Sequence, residues 1–152
     1  MGLTICRFLY TILMHTNLVG IKEIMKFSTK AEYGLRAIVS LAKSYPARKS
    51  LKEISKEEEV SMKYLENIFI ILKKEKLVIS TKGKYGGYAL SRNPKRMTAG
   101  EVIEALEGAI TATKCIETKC SAYCSCSSKT VWIKLGEQIR KTLYGIKLSD
   151  LI

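Results

Sequence analysis

Ser61-Met62-Lys63-Tyr64-Leu65-Glu66-Asn67, running on to about Lys76, then Leu77-Val78-Ile79-Ser80, a turn and Gly87-Tyr88-Ala89-Leu90, is the stretch that decides the fold. Ser61 reads as an N-cap. Behind it Leu65, Ile68, Phe69 and Leu72 keep the i, i+3, i+4, i+7 spacing of a helix with one buried face. Leu77–Ser80 and Gly87–Leu90 read as paired strands, because β-forming residues flank Thr81-Lys82-Gly83-Lys84-Tyr85-Gly86, whose glycines permit positive φ at a turn.

Upstream, Ser50 and Glu53 have the spacing of a capping box and open a short helix that buries Leu51 and Ile54. Glu58-Glu59-Val60 is the turn between this helix and the next. Earlier still, Ser28 or Thr29 caps a helix from about Lys30 to Ser44, with Leu35, Ile38, Val39, Leu41 and Ala42 as its apolar face, and Tyr45-Pro46 ends it. Two short helices joined by a tight turn form a helix-turn-helix, and a hairpin directly after it makes a winged helix. In such a motif the first turns of the second helix meet base edges in the major groove. Here they offer Ser61, Lys63, Tyr64, Glu66 and Asn67, residues that would serve equally as a solvated face. Lys82 and Lys84 fall on the wing, placed for phosphates or the minor groove. The glycines of the wing do not make a phosphate-cradling P-loop, since no Lys-Ser/Thr pair follows and no helix opens there.

The charge agrees with this placement. The 152-residue chain has 26 Lys and Arg against 14 acidic residues, a formal net charge of +12, and a surplus of that size suits a polyanionic partner. Lys73, Lys74, Lys76, Arg92, Lys95 and Arg96 gather around the winged helix. At 47% hydrophobic residues the composition is globular rather than disordered. No run approaches the ~20 apolar residues of a membrane span, and the short apolar run Phe8–Met14 lacks a small-residue cleavage site, so a cytoplasmic protein is expected. Residues 1–24 show neither cap nor helical period, and Met25 is taken as the start of the folded part, the alternative being an amphipathic extension.

Beyond the wing, Thr98 starts a helix carrying Val102, Ile103, Ala105 and Leu106, closed by Gly108. Four of the five cysteines, Cys115, Cys120, Cys124 and Cys126, then fall within twelve residues of small and polar side chains. That segment makes a poor core and a good metal-binding loop, since thiolates are soft ligands for zinc, copper(I) or iron–sulfur clusters. Lys114, Lys119 and Lys129 favour the thiolate. Zinc usually draws on two knuckles of closely spaced cysteines, whereas the wide single run Cys115-x4-Cys120-x5-Cys126 suits a loop wrapped around a larger inorganic core. The spacing ranks a cluster ahead of zinc, with a thiol–disulfide switch third. A long helix then begins near Thr130 with Val131, Trp132, Leu135, Ile139 and Leu143 as a stripe too large for so small a domain to cover, which points to helix pairing across a homodimer.

From Met25 to Ile152 the chain resembles the Rrf-type winged helix-turn-helix regulators, a family with IscR-like and NsrR-like iron–sulfur members. The likeness lies in Met25-Lys26-Phe27-Ser28-Thr29-Lys30-Ala31-Glu32-Tyr33, Ser61-Met62-Lys63-Tyr64-Leu65-Glu66, Gly83-Lys84-Tyr85-Gly86-Gly87-Tyr88, the three spaced cysteines and Trp132. The resemblance implies a dimeric repressor that binds a double-stranded DNA operator, with Cys115, Cys120 and Cys126 as cluster ligands and Glu66 and Lys82 near bases or a groove. IscR-like members place a histidine three residues after the third cysteine, where this chain has Lys129, and its only histidine is His15. Glu32, matching a carboxylate that some NsrR-like members donate to the partner subunit's cluster, and Cys124 are the two candidates for the remaining ligand, Glu32 preferred. A 2Fe–2S cluster is favoured over 4Fe–4S. The expected architecture is mainly helical with a small hairpin wing. It comprises an extension (1–24), the winged helix-turn-helix (25–96), a connecting helix and cysteine loop (97–129), and a dimerisation helix with tail (130–152). No nucleophile–base pattern suggests an enzyme.

Overall fold

A computed structural model describes residues 27–83, 86–111 and 126–152. Helix α1 spans Thr29–Lys43, α2 Leu51–Glu58 and α3 Met62–Lys74, followed by strands β1, Val78–Thr81, and β2, Gly87–Leu90. A 3-10 turn at Pro94–Arg96 leads to α4, Ala99–Glu107; α5 covers Lys129–Gly145, and a last 3-10 turn Leu148–Leu151. The architecture is therefore helical with one two-stranded antiparallel hairpin, as the sequence pattern anticipates.

Local chemistry sets the helix limits. Ser28 rather than Thr29 caps α1, its hydroxyl accepting from Ala31 N–H. Ser50 and Glu53 form the capping box of α2, Ser61 caps α3 by accepting from Tyr64 N–H, and Thr98 with Glu101 forms a second capping box on α4. The α2–α3 turn is fixed by Glu59 in the left-handed region (φ 55°), by Val60 N–H donating to Ser55 O at 3.2 Å and by Ser55 Oγ donating to Val60 O at 2.6 Å. At the end of α3, Lys76 takes φ 57° while Leu77 N–H reaches back to Leu72 O at 2.9 Å, a Schellman closure that stops the helix before Lys76 and turns the chain into β1.

The core joins Ile38 and Leu41 of α1, Ile54 of α2, Leu65, Ile68, Phe69 and Leu72 of α3, Val78 and Leu90 of the hairpin, and Val102 and Leu106 of α4. Val60 and Leu77 join it from the turns on either side of α3, and Met97 and Leu148 from farther along the chain. Met97 is fully buried, and so is Leu148, because the segment after α5 runs antiparallel to the chain before α4: Ala99 N–H donates to Ile146 O and Leu148 N–H to Met97 O, each at 2.9 Å.

Helix α5 lies on α4 where Gly100 leaves room for the ring of Tyr144, so that any Cβ at position 100 would collide with it. The Tyr144 hydroxyl donates to Glu104 Oε2, and Arg140 Nη1 donates to Glu104 Oε1 at 2.8 Å. The hydrogen bond from Tyr144 is the largest influence holding the Glu104 carboxyl below its ordinary range, with Arg140 adding to it, and the same bond pushes the Tyr144 phenol up. A depressed carboxyl stabilises above its unfolded pKa and loses that contribution as pH falls through the folded value; a raised phenol stabilises below its unfolded pKa and loses it as pH rises through the folded value. The clamp is therefore expected to hold through neutrality and weaken at both extremes. Tyr144→Phe should shrink the alkaline loss of thermal stability; melting curves across pH check this, and an unchanged alkaline limb refutes it.

The apolar stripe of α5 is mostly left open in the single chain. Val131 is 60% and Leu135 39% exposed, Trp132, Ile139 and Leu143 are half-buried, and Gly136 alone is buried in that helix. Among the described residues, no element supplies the burial expected for Val131 and Leu135.

Candidate nucleic-acid interface

Helix α3 turns Leu65, Ile68, Phe69 and Leu72 inward, so the opposite face presents Lys63, Glu66 and Asn67 to solvent, together with the N-cap Ser61. Tyr64 is different. It is half-buried and meets Tyr33 of α1 edge to face, centroids 5.9 Å apart. Arg36 sits 5.5 Å over the Tyr33 ring and is itself held by Glu58, Nε to Oε2 at 3.0 Å and Nη2 to the backbone O at 2.6 Å. Tyr64 thus fixes the start of α3 against α1 and leaves less of its ring for a partner. The exposed stripe continues to Ile70, 65% exposed, which sequence reading does not single out although its spacing from Lys63 and Glu66 places it on their face.

The hairpin pairs Val78 with Leu90, Ile79 with Ala89, Ser80 with Tyr88 and Thr81 with Gly87. Its tip closes through Gly86 N–H donating to Gly83 O at 2.9 Å, and Lys82 is exposed beside it. Lys84 and Tyr85 lie outside the described residues. The wing is bound to the reading helix by Tyr88, whose ring packs on Phe69 of α3 with centroids 4.6 Å apart. Of the surrounding cations, Arg92 is taken up by an ion pair with Glu101 and by Nε donating to Arg96 O at 3.1 Å, whereas Lys73, Lys74, Lys76, Lys95 and Arg96 are exposed.

Cys115, Cys120 and Cys124 lie outside the described residues; Cys126 is exposed, three residues before α5. Its sulfur lies 3.2 Å from Ser128 Oγ, and hydrogen bonding from the Ser128 side chain, then from the Ser128 and Lys129 backbone, holds the thiol below its ordinary pKa. Bonds of this kind, next to the positive end of a helix, favour the thiolate that a soft metal centre takes as ligand. Glu32 is exposed in the first turn of α1. Among the described residues no three His, Cys, Asp or Glu side chains converge on a metal position, so Cys126 and Glu32 are not brought together with further donors there. Likewise no described helix is long and apolar enough to cross a membrane.

Comparison with known proteins follows the same outline. The family model Rrf2, described as iron-dependent transcriptional regulator, matches residues 27–152. The transcriptional regulator CymR of Bacillus subtilis is 36% identical over 128 residues, spanning 84% of this chain and 89% of that one. The regulator IscR of Aliivibrio salmonicida is 34% identical over 130 residues, spanning 84% and 77%. The solved structure of CymR, described as the global cysteine regulator of B. subtilis, superposes with a TM-score of 0.72 at 35% identity over 84% of this chain and 96% of the other. Family and relatives are regulators of transcription and not enzymes, and the winged helix, its exposed α3 face and the extent of these matches place the chain in the Rrf2 family of transcriptional regulators.

Proposed function

We propose that the chain is a cytoplasmic repressor that binds a double-stranded operator as a homodimer and reports iron–sulfur, nitric oxide or redox status through its cysteine segment. The observation that carries the reading is the presence in one chain of an exposed α3 face and wing and of a four-thiol run whose described member, Cys126, is held toward the thiolate by Ser128. Lys63, Glu66 and Asn67 approach base edges, Ser61 and Tyr64 set the helix entry, and Lys82 and Lys84 meet phosphate or the minor groove. The open stripe Val131, Leu135 and its neighbours supports pairing of α5 with a second copy.

Cys115, Cys120 and Cys126, with Glu32 or Cys124, form the donor set for a cluster, 2Fe–2S in preference to 4Fe–4S. The chemistry of Cys126 fits such a group. A bound cluster would supply an inorganic core sensitive to oxidation and nitrosylation. What the protein itself contributes is the connection: Cys126 lies three residues before α5, and α5 is tied through Arg140 and Tyr144 to α4, which packs on α1. A change in how the cysteines are held shifts the placement of the two reading helices only by interacting differently with the two arrangements.

A second reading, a thiol switch without metal, is favoured by the likeness to the cysteine regulator. Anaerobic purification with iron and sulfide assay, a visible spectrum, and operator titration at fixed salt before and after iron removal separate the two. Brown or red protein whose operator affinity changes on iron removal supports the cluster. Colourless, iron-free protein that responds to oxidant and thiol supports the switch, and equal affinity in every state removes the sensor.

A further inference from the structure

We propose that Lys49, in the loop between α1 and α2, is the positioning residue that sets the wing against the reading helix. Its backbone forms a one-residue antiparallel bridge to β2: Lys49 N–H donates to Tyr88 O at 2.9 Å, and Tyr88 N–H donates to Lys49 O at 2.8 Å. Strand β2 is thereby paired on both edges, by β1 on one side and Lys49 on the other. The approach is close enough to dictate the neighbouring residue. Gly87 has φ 150°, and a Cβ there would stand 2.7 Å from Lys49 O, so no side chain fits without pushing the wing away from the loop.

The side chain of Lys49 runs the other way and grips the helices. Its Nζ donates to Glu57 Oε1 at 2.8 Å and Oε2 at 2.6 Å on α2, and to Ser40 Oγ at 3.1 Å on α1, while Ser40 Oγ donates to Glu57 Oε2 at 2.7 Å. Ser40 is 1% exposed and the Lys49 side chain 17%, so the ammonium is engaged inside the protein rather than offered to DNA. One residue thus joins α1, α2 and β2. Toward α3 the hairpin is held by the Tyr88–Phe69 ring contact and by Val78 and Leu90, which share the buried core with Leu72, apolar contacts that fix its base but leave its outer end freer to tilt. Adding the Lys49 bridge on the far side of β2 removes that freedom. Lys82, at the described edge of the wing tip, then keeps a constant offset from α3, as simultaneous contact with two grooves requires.

This inference rests on the reading of the wing as a DNA-contacting element, and the test separates the two. Operator affinity and its salt dependence are measured for Lys49→Met, for Lys82→Ala/Lys84→Ala and for the combination, at a temperature where melting curves show each variant folded. Lys49→Met is expected to lower affinity about tenfold, and to cost little more once the wing lysines are gone, because both changes act through the wing. Glu57→Gln, at an exposed carboxylate, is expected to reproduce the effect without endangering the fold. Amide exchange at Tyr88 should speed up about tenfold in Lys49→Met while that of Leu72 in α3 stays slow. Unchanged affinity, or losses that multiply with those of the wing lysines, overturns the proposal. If the wing variant alone binds as tightly as the parent, the DNA reading of the wing fails instead. The exchange measurement then decides Lys49 by itself, faster exchange at Tyr88 supporting the positioning role and unchanged exchange overturning it.

Discussion

Leu148→Ala is expected to destabilise the folded chain by about 2–5 kcal/mol, the range for removing a fully buried leucine without filling the space. Leu148 is 0% exposed and sits beside Met97, also 0%, in a core otherwise built from α1–α4 and the hairpin. Its backbone is pinned as well, by Leu148 N–H to Met97 O and Ala99 N–H to Ile146 O. The alanine keeps those backbone bonds and removes only the side chain, so the loss reads the apolar contact directly. A fall in Tm on the order of 10 °C should accompany it in calorimetry. The exposed neighbour Ile152 provides the contrast: Ile152→Ala should move Tm by no more than a surface change does. Equal melting of the Leu148→Ala variant and the parent would show that the terminal segment does not dock in solution.

The second large effect concerns DNA. Replacing Lys63, Lys82 and Lys84 together by alanine is expected to reduce operator affinity on the order of a thousandfold at low salt. The slope of log K against log salt should fall by roughly 0.9 for each phosphate left without its lysine, about 5 for a dimer in which six are so left. Lys63 and Lys82 are exposed, and no ion pair with an acidic side chain is found for either among the described residues, so neither must first break an internal bond to reach phosphate. Asn67→Ala should behave differently. A base-reading amide on the exposed face of α3 carries sequence information and no charge. Its loss should leave the salt slope in place while narrowing the ratio of operator to non-specific affinity by about 1–3 kcal/mol. Fluorescence anisotropy over a salt series, with operator and scrambled duplexes, distinguishes the two; a triple variant with an unaltered slope would place the phosphate contacts elsewhere.

The elements written in local chemistry were legible. Ser50 with Glu53, Ser61 and Thr98 each announce a helix within three residues of themselves and prove to be its cap, while the choice of Ser28 over Thr29 and the part of Glu101 in a second capping box come from the structure. The hairpin, its strand partners and the inward face of α3 follow from residue periods equally short. What stayed hidden depends on residues far apart in the chain. Lys49 pairs with Tyr88, Met97 with Leu148, and Glu104 with Arg140 and Tyr144. Nothing in the neighbourhood of Lys49 or Leu148 separates them from an ordinary loop lysine or a terminal leucine. For the candidate site, the helical period anticipated that Lys63, Glu66 and Asn67 share the exposed face of α3, but it did not show that Tyr64 is partly used against Tyr33. Of the thiols, only Cys126 falls where its surroundings can be described, and there the lysine expected to favour the thiolate, Lys129, is a smaller influence than the Ser128 hydroxyl.

The grips that Arg140 and Tyr144 exert on Glu104, and the docking of Leu148 just beyond, all fall toward the C-terminal end of α5. Mechanically this makes α5 a rod clamped hardest at its C-terminal end, with Gly136 buried midway along it as a lighter, second support. At 1.5 Å per residue, seventeen residues span about 25 Å, so a pivot of ~5° near Tyr144 sweeps the Cys126 end through roughly 2 Å. Run in reverse, under the proposed sensor reading, a modest pull at Cys126 would arrive at the anchored end as a larger force on α4 over a very small displacement, well matched to a densely packed core that resists travel but transmits force.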